Sequence, residues 1–478
     1  MKGMNFIDGR WRDGGGSVQT FNPSDLDERV GDYALGGPGD AEDALDAARK
    51  ALPDWTRFNM QARCDLLRRV SDILLARANE IGTLLSREQG KTLRDGIGET
   101  VRAAQVFHYY AGEVIRHPGQ WYNSMRDGHN ILVSYEPVGV VAVITPWNFP
   151  IAIAAWKSAA ALAYGNTVVL KPSNNVPGCA VMLSQILEQA GVPPGVFNLV
   201  MGSGGAIGNT LISGADAVTF TGGTETGRRV IRTAAETMTK VQLELGGKNP
   251  FVVLDDADLD VAVEAAAQGT WLQTGQRCTG SERLIVTERT HDAFVERLLA
   301  RVARFKVGHA LDDDTDIGPV SNQTQYDENL SFIDKAKAEG AELAFGGTPV
   351  EGRTRGLYLA PTLLLNTGND MALNRHESFG PIAGVIKVAD LDEAIAVAND
   401  CDYALSSGIA TTSLKHAEAF RRASKAGLVM VNTPTAGLEY HVPFGGRPPS
   451  GYGGRETGAA SAEFFTEIKT SYINHGVI

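Results

Sequence analysis

The stretch VGVVAVITPWNFPIAIAAWKSAAALAYGNTVVLK (Val138–Lys171) decides the fold. It begins with a continuous apolar run, Val138–Ile144, which is typical of a strand buried on both faces. A turn with two prolines follows at Thr145–Pro150, and Ile151–Tyr164 then has the length and composition of a helix. A second apolar strand, Thr167–Lys171, comes next. The order strand, helix, strand predicts a βαβ unit and therefore a parallel sheet.

The same alternation continues along the chain. Further strands are predicted at Val196–Met201, Ala217–Thr221, Lys240–Glu244, Phe251–Leu254, Arg283–Thr287, Ile382–Val388 and Leu428–Asn432. Helices are predicted at Val181–Gln189, Leu259–Thr270 and His291–Phe305, and a helical region begins at about Ala41. Near the ends of the chain, Phe6–Trp11 has the pattern of a hairpin and Glu463–Ile473 that of an edge strand. We therefore expect an α/β fold with two lobes and a crevice between them.

The composition argues against several classes of function. The 478 residues are 43% hydrophobic and 21% charged, an ordinary balance for a globular protein. The 44 basic and 56 acidic residues give a net charge of −12, so we expect no nucleic acid and no membrane as a partner. The four cysteines lack metal-ligand spacing, which argues against a disulfide scaffold and a metal site. The first twenty residues lack the apolar run of a secretory signal, and prolines and polar residues interrupt Gly139–Leu170, so we expect a cytoplasmic protein.

Polar side chains follow two strands of the first lobe, at the sheet edge where open α/β sheets bind ligands. Asn148 carries an amide that could stabilise an oxyanion, or it could cap the following helix. Lys171 could contact ribose or phosphate oxygens, or it could be a solvated lysine before a proline turn. Asn174 lies where a ribose-binding residue could lie.

Two glycine-rich turns, Gly202–Gly208 and Gly222–Gly227, each lead from a strand into a helix. Backbone N–H groups in such turns and the helix N-terminus can bind phosphate. Neither turn fits G-x-G-x-x-G with an acidic residue about 20 positions on, so each alone is a weak signal. Together, in one βαβ series, they indicate a dinucleotide site.

Cys278 and Glu244 are the candidates for covalent and acid–base chemistry. Cys278 follows a predicted helix, and its neighbour Arg277 could favour the nucleophilic thiolate, although most free cysteines are inert core residues. Glu244 ends a strand before two glycines, where it could be a general base or a surface residue.

Seven motifs, in this order along nearly the whole chain, resemble those of the aldehyde dehydrogenase superfamily. They are TPWNFP (Thr145–Pro150), KPS (Lys171–Ser173), FTGGTETG (Phe220–Gly227), LELGG (Leu243–Gly247), GQRC (Gly275–Cys278), ESFGP (Glu377–Pro381) and PFGG (Pro443–Gly446). The resemblance implies that Cys278 is the nucleophile, Glu244 the general base, and Asn148 with the Cys278 backbone N–H the oxyanion hole. The candidate cofactor-binding residues are Trp147, Lys171, Ser173, Asn174, Gly204, Gly208, Gly223, Thr224, Leu245, Glu377 and Phe379.

The resemblance also implies the reaction and the architecture. An aldehyde forms a thiohemiacetal on Cys278, hydride passes to NAD or NADP, and water activated by Glu244 hydrolyses the thioester to the acid. The family fold implies a Rossmann-type dinucleotide-binding domain (1–117 and 138–246), an α/β catalytic domain (247–459) and a small β oligomerisation element (118–137 and 460–478). A homodimer or homotetramer is expected.

The sequence departs from the family pattern at two positions. NAD-preferring members often have Glu where this chain has Asn174. The neutral side chain removes a charge that would repel a 2′-phosphate, so we expect NADP to be accepted beside NAD. Pro448 stands where the family commonly has Lys, and we assign no consequence to it.

A finer resemblance concerns the substrate. Gly275–Thr279 and Ala436–Pro443 look like the corresponding segments of α-ketoglutaric semialdehyde dehydrogenases. Arg277 could pair with a substrate carboxylate, or it could bridge to a protein Asp or Glu. Trp156 stands where succinic semialdehyde dehydrogenases typically carry an Arg. We expect a carboxylate-bearing semialdehyde.

Several alternatives to this function stay open. A broad-specificity enzyme and a succinic or aminoadipic semialdehyde dehydrogenase would keep the same reaction. A thiol esterase or acyltransferase on the same fold would need no dinucleotide. A non-catalytic binding protein would be expected to lose Cys278 or Glu244, and both are present.

Overall fold

A computed structural model describes residues 1–116 and 119–476. The strands are β1 (Lys2–Gly3), β2 (Asn5–Ile7), β3 (Arg10–Arg12), β4 (Gly16–Asn22), β5 (Asp25–Leu35), β6 (Gln120–Asn123), β7 (His129–Pro137), β8 (Val140–Ile144), β9 (Thr167–Lys171), β10 (Phe197–Leu199), β11 (Ala217–Thr221), β12 (Lys240–Glu244), β13 (Asn249–Val253), β14 (Ser281–Thr287), β15 (Glu342–Phe345), β16 (Thr362–Leu365), β17 (Ile382–Val388), β18 (Ser406–Ala410), β19 (Leu428–Val431), β20 (Gly451–Tyr452) and β21 (Thr466–Asn474). The helices are α1 (Pro38–Thr56), α2 (Met60–Ala76), α3 (Ala78–Gln89), α4 (Leu93–Glu113), α5 (Ala152–Ala163), α6 (Gly178–Ala190), α7 (Gly204–Gly214), α8 (Thr224–Thr237), α9 (Leu259–Trp271), α10 (Glu288–Val302), α11 (Gln323–Ala338), α12 (Ala372–Arg375), α13 (Leu391–Asn399), α14 (Leu414–Ala423) and α15 (Ala462–Phe465).

The first large sheet has the strand order β20-β12-β11-β8-β9-β10-β2-β3. Its five central strands are parallel, and the hairpin β2–β3 and the short β20 add antiparallel edges. Alternate residues of β8 enter two separate hydrophobic cores: Val141 and Val143 one, Val140 and Ala142 the other. The strand is therefore buried on both faces, as its continuous apolar sequence predicts.

The second large sheet has the order β15-β16-β17-β14-β13-β18-β19 and is parallel apart from β15. The α/β fold class is confirmed. In the sequence, the candidate nucleophile Cys278 lies between the carboxyl end of β12 and the amino end of β14.

Two smaller sheets complete the described chain. One consists of β1, β5 and β4, and the other is an antiparallel sheet of β21, β7 and β6. The division into three domains stays a prediction, and its boundary at residues 117 and 118, like residues 477 and 478 of the oligomerisation element, lies outside the described residues. Within residues 1–116 and 119–476, no helix is long and apolar enough to cross a membrane.

Most predicted elements of the first sheet are correct, and β9, β11 and β12 have the predicted bounds. The turns predicted at Gly202–Gly208 and Gly222–Gly227 are both too long, because α7 already begins at Gly204 and α8 at Thr224. Helix α1 also begins earlier than expected, at Pro38. Proline is favoured at a first helical position, and the Asp40 side chain accepts a hydrogen bond from the Gly37 N–H (2.8 Å).

Candidate active site

Three cavities adjoin one another in the crevice, and two of them meet at Cys278. The front cavity, of about 290 Å³, is lined by residues that include Arg94, Arg102, Phe149, Trp156, Arg277 and Leu438. The junction cavity, of about 260 Å³, is lined by residues that include Trp147, Asn148, Leu245, Gln325, Glu377 and Phe379. The glycine-turn cleft, of about 840 Å³, is lined by residues that include Lys171, Asn174, Gly204, Gly223, Arg229 and Arg232.

These cavities share parts of their walls. Cys278 and Glu244 line both the front and the junction cavity. Gly222 and Gly223 line both the junction cavity and the glycine-turn cleft. Cys278 therefore lies where an approach from the front meets an approach from the cleft.

Contacts on both sides fix the turn that carries Cys278. Gly275 has φ +65°, and a Cβ there would lie 2.0 Å from the Gly380 carbonyl oxygen, so a side chain does not fit. The Asn249 amide Nδ2 donates to the carbonyl oxygens of Cys278 (2.7 Å) and Gly280 (2.9 Å). The half-buried cysteine is thus held at the wall between two cavities, which is not the setting of an inert core cysteine.

The electrostatic surroundings of Cys278 disfavour the thiolate. Burial, together with the negative charges of Glu244, Glu377 and Glu456, raises the pKa of the Cys278 thiol well above its usual range. The expectation that Arg277 favours the thiolate is therefore wrong for the net shift of the thiol pKa. The charge of this one guanidinium is outweighed by burial and by three carboxylates.

Glu244 ends β12 and is 2% exposed, so the alternative of a surface glutamate is wrong. Its Oε2 accepts a hydrogen bond from the Gly446 N–H (3.3 Å), and its Oε1 has no hydrogen-bond partner among the residues that the structure describes. Burial and the neighbouring Glu456 raise the pKa of Glu244 well above its usual range. A carboxylate with a raised pKa is a stronger base than an exposed one, and the unpartnered oxygen can accept a proton from water.

Asn148 lies in the turn between β8 and α5, and it does not cap that helix. The capping position is Ile151, which makes no side-chain cap. Instead, the Asn148 amide Nδ2 donates to the carbonyl oxygen of Gln276 (3.3 Å), two residues before Cys278. Since an amide has two N–H donors, one remains for an oxyanion at the junction.

A buried ion pair supports the Asn148 turn from behind. Lys91 Nζ donates to Glu99 Oε2 (2.5 Å) and to the Asn148 carbonyl oxygen (2.7 Å). Glu99 Oε1 accepts hydrogen bonds from the N–H groups of Ile151 and Ala152, at 3.0 Å each. The turn and the start of α5 are therefore fixed to the same pair of charges.

The strand-end residues of β9 line the glycine-turn cleft. Lys171 is 7% exposed, so the alternative of a solvated lysine is wrong. Its Nζ donates to the Pro172 carbonyl oxygen (2.9 Å), and burial lowers the pKa of Lys171 to about 8. Ser173 and Asn174 line the same cleft, and the buried Asn174 Oδ1 meets no hydrogen-bond partner in the described parts of the chain.

The two glycine turns form an open floor in this cleft. A Cβ added at Gly204, Gly208 or Gly223 would meet no atom within 4 Å, and all three residues line the cleft. A ligand can therefore approach the backbone there. Thr224 begins α8 but lines none of the three cavities, so the structure does not place it with the other predicted cofactor-binding residues.

The remaining predicted cofactor-binding side chains meet in the junction cavity. The rings of Trp147 and Phe379 pack edge to face, with centroids 5.3 Å apart. Glu377 Oε1 accepts a hydrogen bond from the Gly247 N–H (2.9 Å). Burial and the charge of Glu282 raise the pKa of Glu377 to about 8.

The glycine-turn cleft also carries two arginines that the sequence reasoning missed. Arg229 and Arg232 lie one turn apart on α8, and they line the cleft with Lys171. No Asp or Glu of the described residues lines it. The signal for these arginines was the run GRRVIR (Gly227–Arg232), directly after the second glycine turn. The cleft thus combines three cations with the starts of α7 and α8 and the unpartnered Asn174 oxygen. These groups fit an anionic dinucleotide.

Arg277 lines the front cavity, and its contacts go to the backbone. Its Nη2 donates to the carbonyl oxygens of Gln268 and Gly269 (2.9 Å for Gly269), near the end of α9. Over residues 1–116 and 119–476, it forms no ion pair with Asp or Glu, so the alternative of a bridge to a protein carboxylate is not realised. Burial lowers the pKa of Arg277 to about 10.

Two further arginines of the front cavity were missed from the sequence. Arg94 and Arg102 both lie on α4, and the Arg102 guanidinium lies 5.5 Å from the centroid of the Tyr440 ring. They are about 180 residues before Arg277 in the chain, and no local motif marks them.

Comparison with known proteins identifies the family of this chain. The sequence model of the Aldehyde dehydrogenase family matches residues 11–471. The alpha-ketoglutaric semialdehyde dehydrogenase of Bacillus subtilis is 40% identical over 476 residues, which are 98% of each chain.

Solved structures are similar over the same extent. Betaine aldehyde dehydrogenase from Staphylococcus aureus in complex with NAD⁺ has a TM-score of 0.95 at 33% identity, covering 99% of this chain and 95% of that chain. An NADP-dependent enzyme of E. coli has a TM-score of 0.95 at 34% identity, covering 98% of both chains. Because family match, sequence identity and fold agree over almost the full length, this chain belongs to the aldehyde dehydrogenase family.

Proposed function

We propose that the protein oxidises an aldehyde that bears a carboxylate, with α-ketoglutaric semialdehyde as the representative substrate, and that NAD or NADP takes up the hydride. The observation that carries this proposal is the position of Cys278 and Glu244, which line both the arginine-bearing front cavity and the junction cavity next to the glycine-turn cleft. The name of the B. subtilis relative supports the substrate class.

The reaction begins at Cys278. Its Sγ, as the thiolate, attacks the aldehyde carbon from the front cavity, and an electron pair of the C=O bond moves onto the oxygen. The free N–H of the Asn148 amide and the backbone N–H of Cys278 are the donors for this oxyanion. The aldehyde is then held as a hemithioacetal on the protein.

The residues of the cleft and the junction bind and orient the cofactor. Lys171 and Asn174 line the cleft and would hold the ribose and phosphate oxygens of a dinucleotide. Trp147, Glu377 and Phe379 line the junction cavity and would orient its reacting end towards Cys278. A bound dinucleotide supplies the oxidant that accepts the hydride as the hemithioacetal carbon becomes the thioester carbonyl.

Glu244 completes the reaction. It takes a proton from a water molecule, and the water oxygen attacks the thioester carbon. The bond between that carbon and Cys278 Sγ then breaks, which releases the acid and restores the thiolate. The raised pKa of Glu244 makes it a stronger base than an exposed carboxylate.

The front cavity favours a substrate with a distal carboxylate. Arg94, Arg102 and Arg277 line it, and the N–H donors of Arg277 Nη1 have no partner among the described residues. A guanidinium that faces a partly dry cavity binds a carboxylate strongly. Phe149 and Trp156 supply the apolar part of the wall.

We further propose that NADP is accepted as well as NAD. Asn174 carries no charge that would repel a 2′-phosphate, and the cations Arg229 and Arg232 line the same cleft. The neighbours of similar fold include one complex with NAD⁺ and one NADP-dependent enzyme.

The protein is proposed to be a cytoplasmic homodimer or homotetramer. The sheet β6–β7–β21 leaves large apolar side chains exposed, among them Trp121 (62%), Ile468 (65%) and Tyr472 (66%), which a second copy could cover. The four cysteines are free thiols, which fits a reducing compartment.

The test uses matched aldehydes and both cofactors. We expect reduced-nicotinamide absorbance with either NAD or NADP, and a kcat/KM for 5-oxopentanoate at least about tenfold above that for pentanal, which lacks the carboxylate. Equal kcat/KM for the two aldehydes would contradict the substrate class. No absorbance change with any pair of aldehyde and cofactor would contradict the reaction.

A further inference from the structure

Another buried ion pair, between Lys248 and Glu282, lies next to residues that line the junction cavity. Lys248 follows the segment that begins at Glu244, and Glu282 lies in β14, four residues after Cys278. Their side chains are 0% and 4% exposed, and Lys248 Nζ donates to Glu282 Oε2. The pair therefore joins the segment of the base to the segment of the nucleophile.

The Glu282 carboxylate also binds a third segment. Its Oε2 accepts hydrogen bonds from the Ser378 N–H (2.9 Å) and the Ser378 hydroxyl (2.9 Å), and its Oε1 accepts one from the Phe379 N–H (3.0 Å). Three of its four hydrogen bonds thus go to the turn that presents Phe379. Lys248 supplies the fourth.

The Phe379 turn needs such support. Phe379 has φ +48°, in the left-handed region that a bulky residue adopts only when its surroundings hold it there. Its ring packs on Trp147, and both rings line the junction cavity. The neighbouring Glu377 accepts its hydrogen bond from Gly247, next to Lys248. The position of this wall therefore depends on the acceptor oxygens of Glu282.

We infer that Glu282 is a positioning residue for dinucleotide binding: its carboxylate oxygens hold Ser378 and Phe379 so that the Trp147–Phe379 wall is formed before the cofactor arrives. The inference rests on the proposed dinucleotide site. The alternative is that Glu282 only neutralises the charge of the buried Lys248 and does not position the Phe379 turn.

Two double variants separate these roles. Each removes the charge of Lys248 and the charge of Glu282, so the two variants differ only in the hydrogen-bond acceptor that remains. Lys248→Met with Glu282→Gln keeps an oxygen that can accept both bonds from Ser378. Lys248→Met with Glu282→Leu keeps no acceptor. We measure the dissociation constants of NAD and NADP from the quenching of protein fluorescence, with thermal unfolding as the check on folding.

We expect the glutamine double variant to bind dinucleotide within about threefold of the wild type, and the leucine double variant to bind it at least about tenfold more weakly, since buried N–H groups are left unpaired. The KM for the aldehyde and the alkylation rate of Cys278 by iodoacetamide should change little in both, because Asn249 still holds the Cys278 turn. Equal dissociation constants for the two double variants would overturn the inference.

Should the leucine variant not fold, Lys248→Met with Glu282→Asn replaces it. This variant also removes both charges, but the shorter asparagine side chain withdraws the acceptor oxygen from Ser378. Weaker dinucleotide binding by the asparagine than by the glutamine double variant supports the inference, and equal or stronger binding contradicts it. A wild-type protein that binds neither NAD nor NADP would contradict the proposed function and the inference with it.

Discussion

The front cavity and the glycine-turn cleft both adjoin the junction cavity, but they are built in different ways. The front cavity shares the wall around Cys278 with the junction cavity, and the cleft does not reach that wall. The cleft is lined by residues 144–233, at the ends of successive strands of one sheet, and its floor is glycine backbone. The front cavity collects side chains from α4, from segments near residues 150 and 277, and from residues 436–444.

This difference separates two tasks of the protein. Backbone N–H groups and helix starts can bind phosphate without any particular side chain. The choice of an aldehyde depends on side chains that only the tertiary structure brings together. We therefore expect that a variant in the front cavity leaves the affinity for the dinucleotide unchanged, and that a variant in the cleft leaves the affinity for the aldehyde unchanged. Variants in the wall around Cys278 should abolish the reaction.

The largest effect is expected at the shared wall, for Cys278→Ser. A serine hydroxyl is scarcely ionised at neutral pH, so kcat should fall at least about a thousandfold. The dissociation constant of the dinucleotide should stay within about twofold, since the cleft does not contain Cys278. Steady-state absorbance and fluorescence titration measure the two quantities. Residual oxidation within tenfold of the wild type would remove Cys278 from the reaction.

The second effect is expected in the front cavity, for Arg277→Met. A charge-assisted hydrogen bond in a partly desolvated site contributes about 1.5–3 kcal/mol, so kcat/KM for carboxylate-bearing semialdehydes should fall roughly ten- to over a hundredfold. Neutral aldehydes of the same length should be spared, and so should the KM for the dinucleotide. Arg229→Met is the matched control from the cleft. Equal losses on both aldehyde types would mean that Arg277 only holds the Cys278 turn.

The third effect is expected in the cleft, for Asn174→Glu. Two like charges about 4 Å apart repel by roughly 1–4 kcal/mol, so the ratio of kcat/KM for NADP to that for NAD should fall at least about fivefold. The preference between charged and neutral aldehydes should not change. Initial rates with both cofactors at saturating aldehyde test this. A wild type with no detectable NADP reduction would contradict the argument from the neutral side chain.

The smallest effect concerns the pKa of Cys278 in Glu244→Gln. The negative charge of Glu244 helps to raise the pKa of the thiol, so neutralising it should lower that pKa and increase the thiolate fraction. Alkylation of Cys278 by iodoacetamide at pH 7 should become about threefold faster or more, and its pH profile should shift to lower pH. An unchanged or higher apparent pKa would show that Glu244 carries no charge near the thiol.

The two cavities also differ in how far the sequence predicts them. The cleft was predicted through Lys171, Gly204, Gly208 and Gly223, because strand, turn and helix signals there are local and follow each other in the chain. The exception is Thr224, which lines none of the cavities, although Arg229 and Arg232 of the same helix line the cleft.

Less of the front cavity was predicted. Cys278 and Arg277 were identified by their motif, but Arg94 and Arg102 are ordinary helix residues whose position depends on the packing of α4. The raised pKa of the Cys278 thiol was also missed, because it depends first on burial in the tertiary structure and then on carboxylates from three distant segments. Charge interactions of this kind depend on distances in space, which no spacing in the sequence reports.

We propose that Cys278 and Glu244 act in turn, the first before hydride transfer and the second after it. Rapid mixing of Glu244→Gln with saturating aldehyde and dinucleotide separates the two steps. We expect a fast phase of one reduced nicotinamide per active site, followed by turnover at least about a hundredfold slower than in the wild type, because the thioester stays on Cys278. Steady turnover near the wild-type rate, or slow turnover without the fast phase, would contradict it.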